Sequence, residues 1–434
     1  MIPSFRALVA LAVWTTLGGV VAFFPDAEPL WVVLGVLGLA VFLGDALLAW
    51  WTPAPDVTRE APNVLSMQAR ADVVLRLANR HRRPLQIELF DHVPVELQTD
   101  DFPRSFLIPA GEEAVFEYRV RPVSRGTAHF GPVEMRVASP LHLFDRIHRP
   151  RVETDMRIYP NFDALRRYEL LATEHRTSQL GVRRRPRRGA GLEFQQLREY
   201  RPGDPLRQVD WKATSRFQRA ISREYQDERD QQIILVLDCG RRMRAQDGEL
   251  SHLDAALDAA LLVAHVALRQ GDAVGFSTLG GEQRWLAPRK GRTQLGALLD
   301  GVFDLHAQPR ASDHLSAAAE LMGRVRKRSL IVWISNLRDE DGSELSAAMK
   351  LMARRHLVML ASLRETVLDA RLEDPVENLE DATRVSAIHH YLHGRRQAHR
   401  ELETGGALLL DTTPEKLPIA LVNGYLDVKS AGLL

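Results

Sequence analysis

The stretch QQIILVLDCGRRM, Gln231 to Met243, decides the fold class of the C-terminal half of this 434-residue chain. The unbroken apolar run from Ile233 to Leu237 has no polar residue to mark a solvent face, which is the pattern of a strand covered on both sides. It ends in Asp238 and a turn, and the carboxyl ends of such strands form the edge at which a doubly wound sheet exposes polar groups. Leu253, Leu257, Leu261, Ala264 and Leu268 then recur at helical spacing before Gly271 breaks the pattern. DAVGFST reads as a second strand and RWLAPR as a third, paired as an edge hairpin. RTQLGALLDGVF, HLSAAAELMGRV and SELSAAMKLMARR read as helices around the central strand SLIVWISNL, and HLVMLASL follows as the next strand. A helical region from Ala382 to Glu403, the strand ALLLD and a helix from Pro414 complete an α/β doubly wound domain over residues 231–434.

Upstream the pattern changes. VVLRLANR, LQIELFDHVP, AVFEYRVRPV, GPVEMRVASP and RVETDMRIYP alternate with period two and are punctuated by Pro, Gly, Asn and Asp. These predict a small antiparallel β-sandwich over residues 56–160. Its His81, His92, His129, His142 and His148 are scattered without metal-ligand spacing and read as solvated or packed side chains.

The first 52 residues predict a transmembrane hairpin. ALVALAVWTTLGGVVAFFP, after Arg6, is charge-free and close to the ~20 residues that span a bilayer. LWVVLGVLGLAVFLG meets its only charge at Asp45, within about two turns of Trp50 and Trp51, where a carboxylate reaches interfacial water cheaply. A cleaved signal peptide is the competing reading of the first run, but a small-x-small cleavage site is missing and a second span follows at once. The connector carries Asp26 and Glu28, whereas Arg6, Arg59, Arg70 and Arg76 flank the spans. By the positive-inside rule both termini and the soluble domains are cytoplasmic.

Composition narrows the function classes. Lys plus Arg number 57 against 56 Asp plus Glu, a formal net charge of +1, which disfavours a globally basic nucleic-acid coat. The one cysteine, Cys239, excludes an internal disulfide framework and any cysteine-rich metal site, and reads as a small buried residue rather than a nucleophile. His252, His265 and His314 lie in the same half, but none belongs to a local catalytic signature, and GxSxG, HExxH and Walker A sequences are absent.

Residues 161–230 form a charged connecting segment. It holds the arginine run Arg183, Arg184, Arg185, Arg187 and Arg188, and then the most distinctive stretch of the chain, LEFQQLREYRPGDPLRQVDWKATSRFQRAISREYQDER. Pro202 and Gly203 suit the central positions of a type II turn. Arg198, Tyr200, Asp204, Arg207, Asp210 and their neighbours place charges of both signs around Trp211. That pattern predicts a structural clamp of ion pairs with Trp211 as its buried anchor.

The order of two apolar spans, a β-domain, EFQQLREYRPGDPLRQVDWKATSR with its trailing REYQDER, and a strand ending LDCGRRM resembles the bacterial membrane proteins known as domain of unknown function 58. The resemblance covers essentially the whole chain and implies a C-terminal half similar to von Willebrand factor A domains. It also implies a partner, a MoxR-type AAA+ ATPase, for which the protein would act as accessory or adaptor at the bacterial inner membrane. In von Willebrand factor A domains a Mg²⁺ ion sits at the carboxyl edge of the sheet, held by hydroxyls, carboxylates and water. Carried over, the first Asp falls on Asp238, its two serines on Gly240 and Arg242, the Thr near Ser312 beside Asp313, and the last Asp on Asn336. The site so implied is degenerate. Arg242 brings a permanent charge where a ligand belongs, and pairing with Asp238 would turn a metal site into an ion pair. Ser312 has the alternative reading of a helix N-cap, and Asp238 that of a turn-bonding carboxylate. Asp238, Gly240, Arg242 and Asp313 are the candidate docking surface. Two other readings stand beside the adaptor: a metal-dependent module gripping a protein carboxylate, and a hydrolase built on Asp238.

Overall fold

The computed structural model describes residues 1–434 except 68, 162–192, 202–207, 227–230, 249 and 339–341. Two units pack separately, Met1–Tyr159 and Pro160–Leu434.

In the first unit Ser4 caps a helix over Phe5–Val21, accepting from the Ala7 amide at 3.3 Å, and a short turn leads to a second helix, Glu28–Trp51. Among the described residues Glu28–Trp51 is the one helix long and apolar enough to cross a membrane, and Phe5–Val21, at 17 residues, lies at the short end of the range for a span. The two helices meet through Trp14 and Trp31, whose rings stack at 4.9 Å. Each indole lies over a glycine of the other helix: a Cβ on Gly35 would fall 2.7 Å from Trp14, and one on Gly18 would fall 2.9 Å from Trp31.

Asp45 departs from the sequence expectation. Instead of reaching interfacial water it is 1% exposed. Its carboxylate accepts from Ser139 Oγ at 2.5 Å and from the amides of Leu141 at 3.0 Å and Leu143 at 3.3 Å. A carboxylate loses its hydration cheaply only where donors replace water, and a loop of the β-domain supplies them here. Arg146 bonds the Trp50 and Thr52 carbonyls, taking up acceptors that the end of the helix leaves unpaired.

The β-domain is built from a five-stranded sheet, in the order Ile2–Pro3, Phe144–His148, Val133–Ala138, Leu85–Asp91, Arg104–Ile108, and a four-stranded sheet, in the order Asp56–Glu60, Ala71–Ala78, Glu113–Pro122, Leu97–Gln98. The alternate residues Leu75, Leu77, Ile87, Leu89, Met135 and Val137 point into one core, as period-two patterning requires. A three-stranded sheet flanks them, and in it Asp155–Tyr159 runs parallel to Val64–Ser66, an exception to the predicted antiparallel arrangement. At the centre of the domain Arg59 is bidentate on Asp91, which also accepts from Tyr118 Oη at 2.6 Å. Burial and the Asp91 charge push the Tyr118 hydroxyl well above the usual tyrosine range.

The second unit holds a six-stranded sheet in the order Trp285–Arg289, Ala273–Leu279, Gln232–Asp238, Leu330–Ser335, Leu357–Leu363, Leu408–Thr412. All pairings are parallel except that of the edge strand Trp285–Arg289. The unbroken apolar run is explained by its two faces. Ile233, Leu235 and Leu237 pack with the helices His252–Arg269, Arg292–Val302 and Leu417–Ala431. Ile234 and Val236 pack with His314–Arg324, Gly342–Ala353 and Leu379–Thr404. Strand Gln232–Asp238 is followed in sequence by its neighbour on one side, Ala273–Leu279, and the chain later crosses to Leu330–Ser335 on the other. The crevice of a doubly wound sheet opens at such a reversal, so the sheet's switch point lies beside Asp238.

Near the last strand, Arg395 is 1% exposed and donates to Ser362 Oγ, the Leu363 carbonyl and Asp411. Burial, and then the Arg395 charge, push the neighbouring His399 down to about 4 from an ordinary 6.5. Between these values the unfolded chain binds the proton and the native state does not, so stability from this group is complete above pH 6.5 and is lost as pH falls toward 4. We expect the unfolding free energy to fall with pH across that window. His399→Gln should flatten the slope by up to about one proton, and an unchanged slope in urea titrations would reject the assignment.

Candidate functional site

The site forms where the carboxyl end of the central strand meets two loops. Asp238 is 3% exposed and ends its strand at the switch point. Its Oδ1 accepts from the Gly240 amide at 2.7 Å and from Ser312 Oγ at 2.5 Å, and its Oδ2 accepts from Ser335 Oγ at 2.6 Å. One carboxylate therefore ties together the turn after its own strand, the loop before helix His314–Arg324, and the end of the adjacent strand.

The close approach of the loops is permitted by glycine. A Cβ on Gly240 would fall 2.2 Å from Ser312 Oγ, and one on Gly280, which has φ +74°, would fall 2.1 Å from the same atom. Backbone bonds hold the loops in register: Cys239 N to Leu279 O, Gln308 N to Cys239 O and Arg241 N to Arg310 O, each 2.7 Å. Cys239 is fully buried among apolar residues.

Ser312 is therefore not the N-cap of the following helix. Asp313 is, accepting from the Ser316 amide at 2.8 Å and from its hydroxyl at 2.7 Å. These bonds hold the exposed Asp313 carboxyl below its usual range. His314 is buried behind it, its amide bonded to Glu344 at 2.8 Å; burial pushes its imidazole down against the opposing pull of Asp238.

Asn336 does not join the carboxylate. Its amide nitrogen donates to Glu365 at 2.9 Å and lies 3.3 Å from His252 Nδ1. The hydroxyl on Asp238 from this strand belongs instead to Ser335, one residue earlier and unmarked in the sequence pattern. Successive side chains of a strand point to opposite faces, so an error of one residue in where the strand ends exchanges the two. His252 is in turn 3.4 Å from Asp247, which accepts from Thr366. Asn336, His252, Glu365 and Asp247 thus form a separate polar cluster.

Of the expected docking surface, Asp238 and Gly240 are buried, Arg242 is half-buried and Asp313 exposed. Among the described residues no group of three or more His, Cys, Asp or Glu is arranged to hold a metal ion. Asp339 and Asp341, two carboxylates that follow Asn336 in the sequence, lie outside the described residues.

The charged signature is placed in part. Glu193–Glu199 pairs antiparallel with Ile221–Gln226, carrying the half-buried Arg198 and, just after it, Tyr200. Asp210 caps the short helix Trp211–Phe217, accepting from Ala213 N at 3.0 Å, and pairs with Arg223 at 2.8 Å. Those bonds hold the Asp210 carboxyl below its usual range. Trp211 is no buried anchor: it is 70% exposed at the first position of that helix. Pro202, Gly203, Asp204, Arg207 and the run from Arg183 to Arg188 lie outside the described residues.

Comparison with known proteins agrees with the resemblance over part of the chain. A family model described as "Protein of unknown function DUF58" matches residues 196–400. The uncharacterized protein YeaD of Bacillus subtilis (strain 168) is 22% identical over 261 residues, which are 59% of this chain and 59% of that protein. Among solved structures, proximal thread matrix protein 1 of the mussel byssus is similar at 12% identity and TM-score 0.32, covering 48% of each chain. The cupredoxin domain of amoB from Nitrosocaldus yellowstonii is similar at 15% identity and TM-score 0.19, covering 24% of this chain and 84% of that one. From the β-hairpin at Gln196 through most of the helix Leu379–Thr404, the chain is thus similar to a family of proteins of unknown function.

Proposed function

We propose that this protein is a membrane-tethered, cytosol-facing adaptor whose C-terminal domain, von Willebrand factor A-like in plan, docks its partner at the carboxyl edge of the sheet without a bound metal. The observation that carries the reading is the use made of Asp238: both its oxygens accept hydrogen bonds from Ser312, Ser335 and the Gly240 amide. Mg²⁺ seeks near-octahedral oxygen coordination. One carboxylate already committed to two hydroxyls, with Asn336 turned to Glu365 and His252, is a poor donor set for it. Arg242 adds positive charge, which opposes a cation further. The same bonds make a preorganised platform, on which Asp313 and Arg242 are the polar groups offered to a partner. The role read here is binding rather than catalysis, because the Ser312 and Ser335 hydroxyls are spent on the tie between the loops.

The partner implied by the resemblance is a MoxR-type AAA+ ATPase. The helices Phe5–Val21 and Glu28–Trp51 act as the anchor in the bacterial inner membrane. The flanking Arg6, Arg59, Arg70 and Arg76 against Asp26 and Glu28 set both termini in the cytoplasm.

The test is capture of the cognate ATPase by the full-length protein in detergent. Arg242→Glu combined with Asp313→Lys is expected to weaken capture by about tenfold or more, at a stability cost of about 0.5–2 kcal/mol from the lost Asp313 cap that leaves the protein folded. Undiminished capture by the double variant would move the contact away from this edge, and no capture by the unaltered protein would reject the adaptor role.

A further inference from the structure

The first unit carries a basic pocket at the foot of its long apolar helix. Leu48 and Trp51 form one wall of a cavity of about 760 Å³, and the turn Arg80–Arg83 and the loop Ser139–His142 form the others. That volume is in the range of sites for small molecules. The turn is built rather than loose. Asn79, 1% exposed, donates through Nδ2 to the carbonyls of Arg83 at 2.9 Å, Ile108 at 3.1 Å and Pro109 at 2.9 Å, while its Oδ1 accepts from the His81 amide at 2.9 Å. His81 Nδ1 then accepts from the Arg83 amide at 3.2 Å. A buried side chain with its capacity spent on this turn and on the neighbouring Ile108 and Pro109 carbonyls fixes the position from which the arginines project.

Of these cations Arg80 is paired with Asp56 at 2.7 Å. Arg82 and Arg83 are exposed and, among the described residues, have no carboxylate within ion-pair distance. Asp45 precedes Trp51 by less than about two helical turns and bonds the loop that walls the pocket. That loop also presents Leu141, 52% exposed, and Trp51 is exposed as well. Tryptophan marks the headgroup level of a span, and basic pockets at that level bind anionic lipid.

The geometry points to a binding site for the phosphate of an anionic glycerophospholipid of the cytoplasmic leaflet, taken by Arg82 and Arg83 with an acyl chain along Leu48 and Trp51. This inference rests on the reading of Glu28–Trp51 as a membrane span and goes beyond it by naming the ligand. The lipid would hold the β-domain at the membrane surface beside the Asp45 contact.

The experiment uses the full-length protein in detergent, with phosphatidylglycerol and phosphatidylcholine titrated separately and bound lipid read by native mass spectrometry. The expected result is preference for phosphatidylglycerol, reduced by about tenfold or more in Arg82→Gln/Arg83→Gln, since each basic residue near an anionic surface contributes comparably. Arg76→Gln/Arg119→Gln removes the same charge elsewhere and should leave the preference intact. Equal binding of the two lipids, or equal loss in both double variants, overturns the site. If inorganic phosphate displaces phosphatidylglycerol at equal concentration, the pocket serves a free phosphate and the lipid assignment is overturned. Alkaline extraction of cell membranes separates the two claims: a protein released by carbonate refutes the span and the lipid site with it, whereas a retained protein without lipid preference refutes the site alone.

Discussion

Asp91→Ala is expected to cost the β-domain about 3–5 kcal/mol, because it strands a buried guanidinium without its counter-charge. The Arg59 and Asp91 side chains are both 0% exposed. Arg59 would keep the carbonyls of Val152 and Gly131 and the face of Phe130, but those neutral groups do not replace a carboxylate. Tyr118 would lose its acceptor as well, and an unmet buried hydroxyl costs about 1–3 kcal/mol. Domains of ordinary stability have only about 5–15 kcal/mol in hand, so this substitution should bring the domain close to unfolding. Replacing both partners, Arg59→Met with Asp91→Leu, should be less damaging than Asp91→Ala alone, since no charge is then stranded. Urea unfolding of the full-length protein in detergent checks both. A cost under about 1 kcal/mol for Asp91→Ala would contradict the role given to the pair.

Asp238→Ala carries the second large effect, and its two consequences are separable. Three donors lose their acceptor at once, of which the Gly240 amide cannot rotate to find another. A loss of about 2–4 kcal/mol follows from unmet buried donors. Capture of the proposed partner should fall with it, because the turn bearing Arg242 and the loop bearing Asp313 are joined through this carboxylate. Ser335→Ala removes the donor to Oδ2 while Oδ1 keeps the Gly240 amide and Ser312, and should cost less than Asp238→Ala, about 1–2 kcal/mol. The contrast between the two variants, read in the same unfolding experiment, distinguishes a central tie from a peripheral one. Gly240→Ser would place its side chain on Ser312, and so is expected to disrupt the tie rather than restore a metal ligand.

The second unit was legible because its signal is strong: an apolar run such as Ile233 to Leu237 suits a strand buried on both faces and little else. The edge strand Trp285–Arg289 and the helix near Ala382 were likewise readable from turn residues and helical spacing. Asp238 was legible for the same reason, as the first polar residue after such a run. Of its partners, Ser312 was set beside it only by the resemblance and Ser335 was missed, because hydroxyls report nothing about their direction. Ser312 and Asp313 both suit an N-cap, and only the backbone around Asp238 decides between them; Ser335 and Asn336 differ by one residue of strand register. Trp211 shows the limit of a composition argument, since charges around an indole describe an exposed helix start as well as a buried anchor. Asp45 shows another: a lone carboxylate near a helix end suits interfacial water, and its actual partners lie some hundred residues away in sequence, at Ser139, Leu141 and Leu143. No local pattern records a contact at that separation.

We propose above that the carboxyl edge of this sheet binds a protein partner without a metal. Capture of the cognate MoxR-type ATPase by the full-length protein, measured without nucleotide in EDTA and again with Mg²⁺ restored, addresses it directly. Equal capture is expected in both conditions. Loss of capture on chelation, recovered by Mg²⁺ and abolished by Asp238→Asn, would contradict it and make Asp238 a metal ligand.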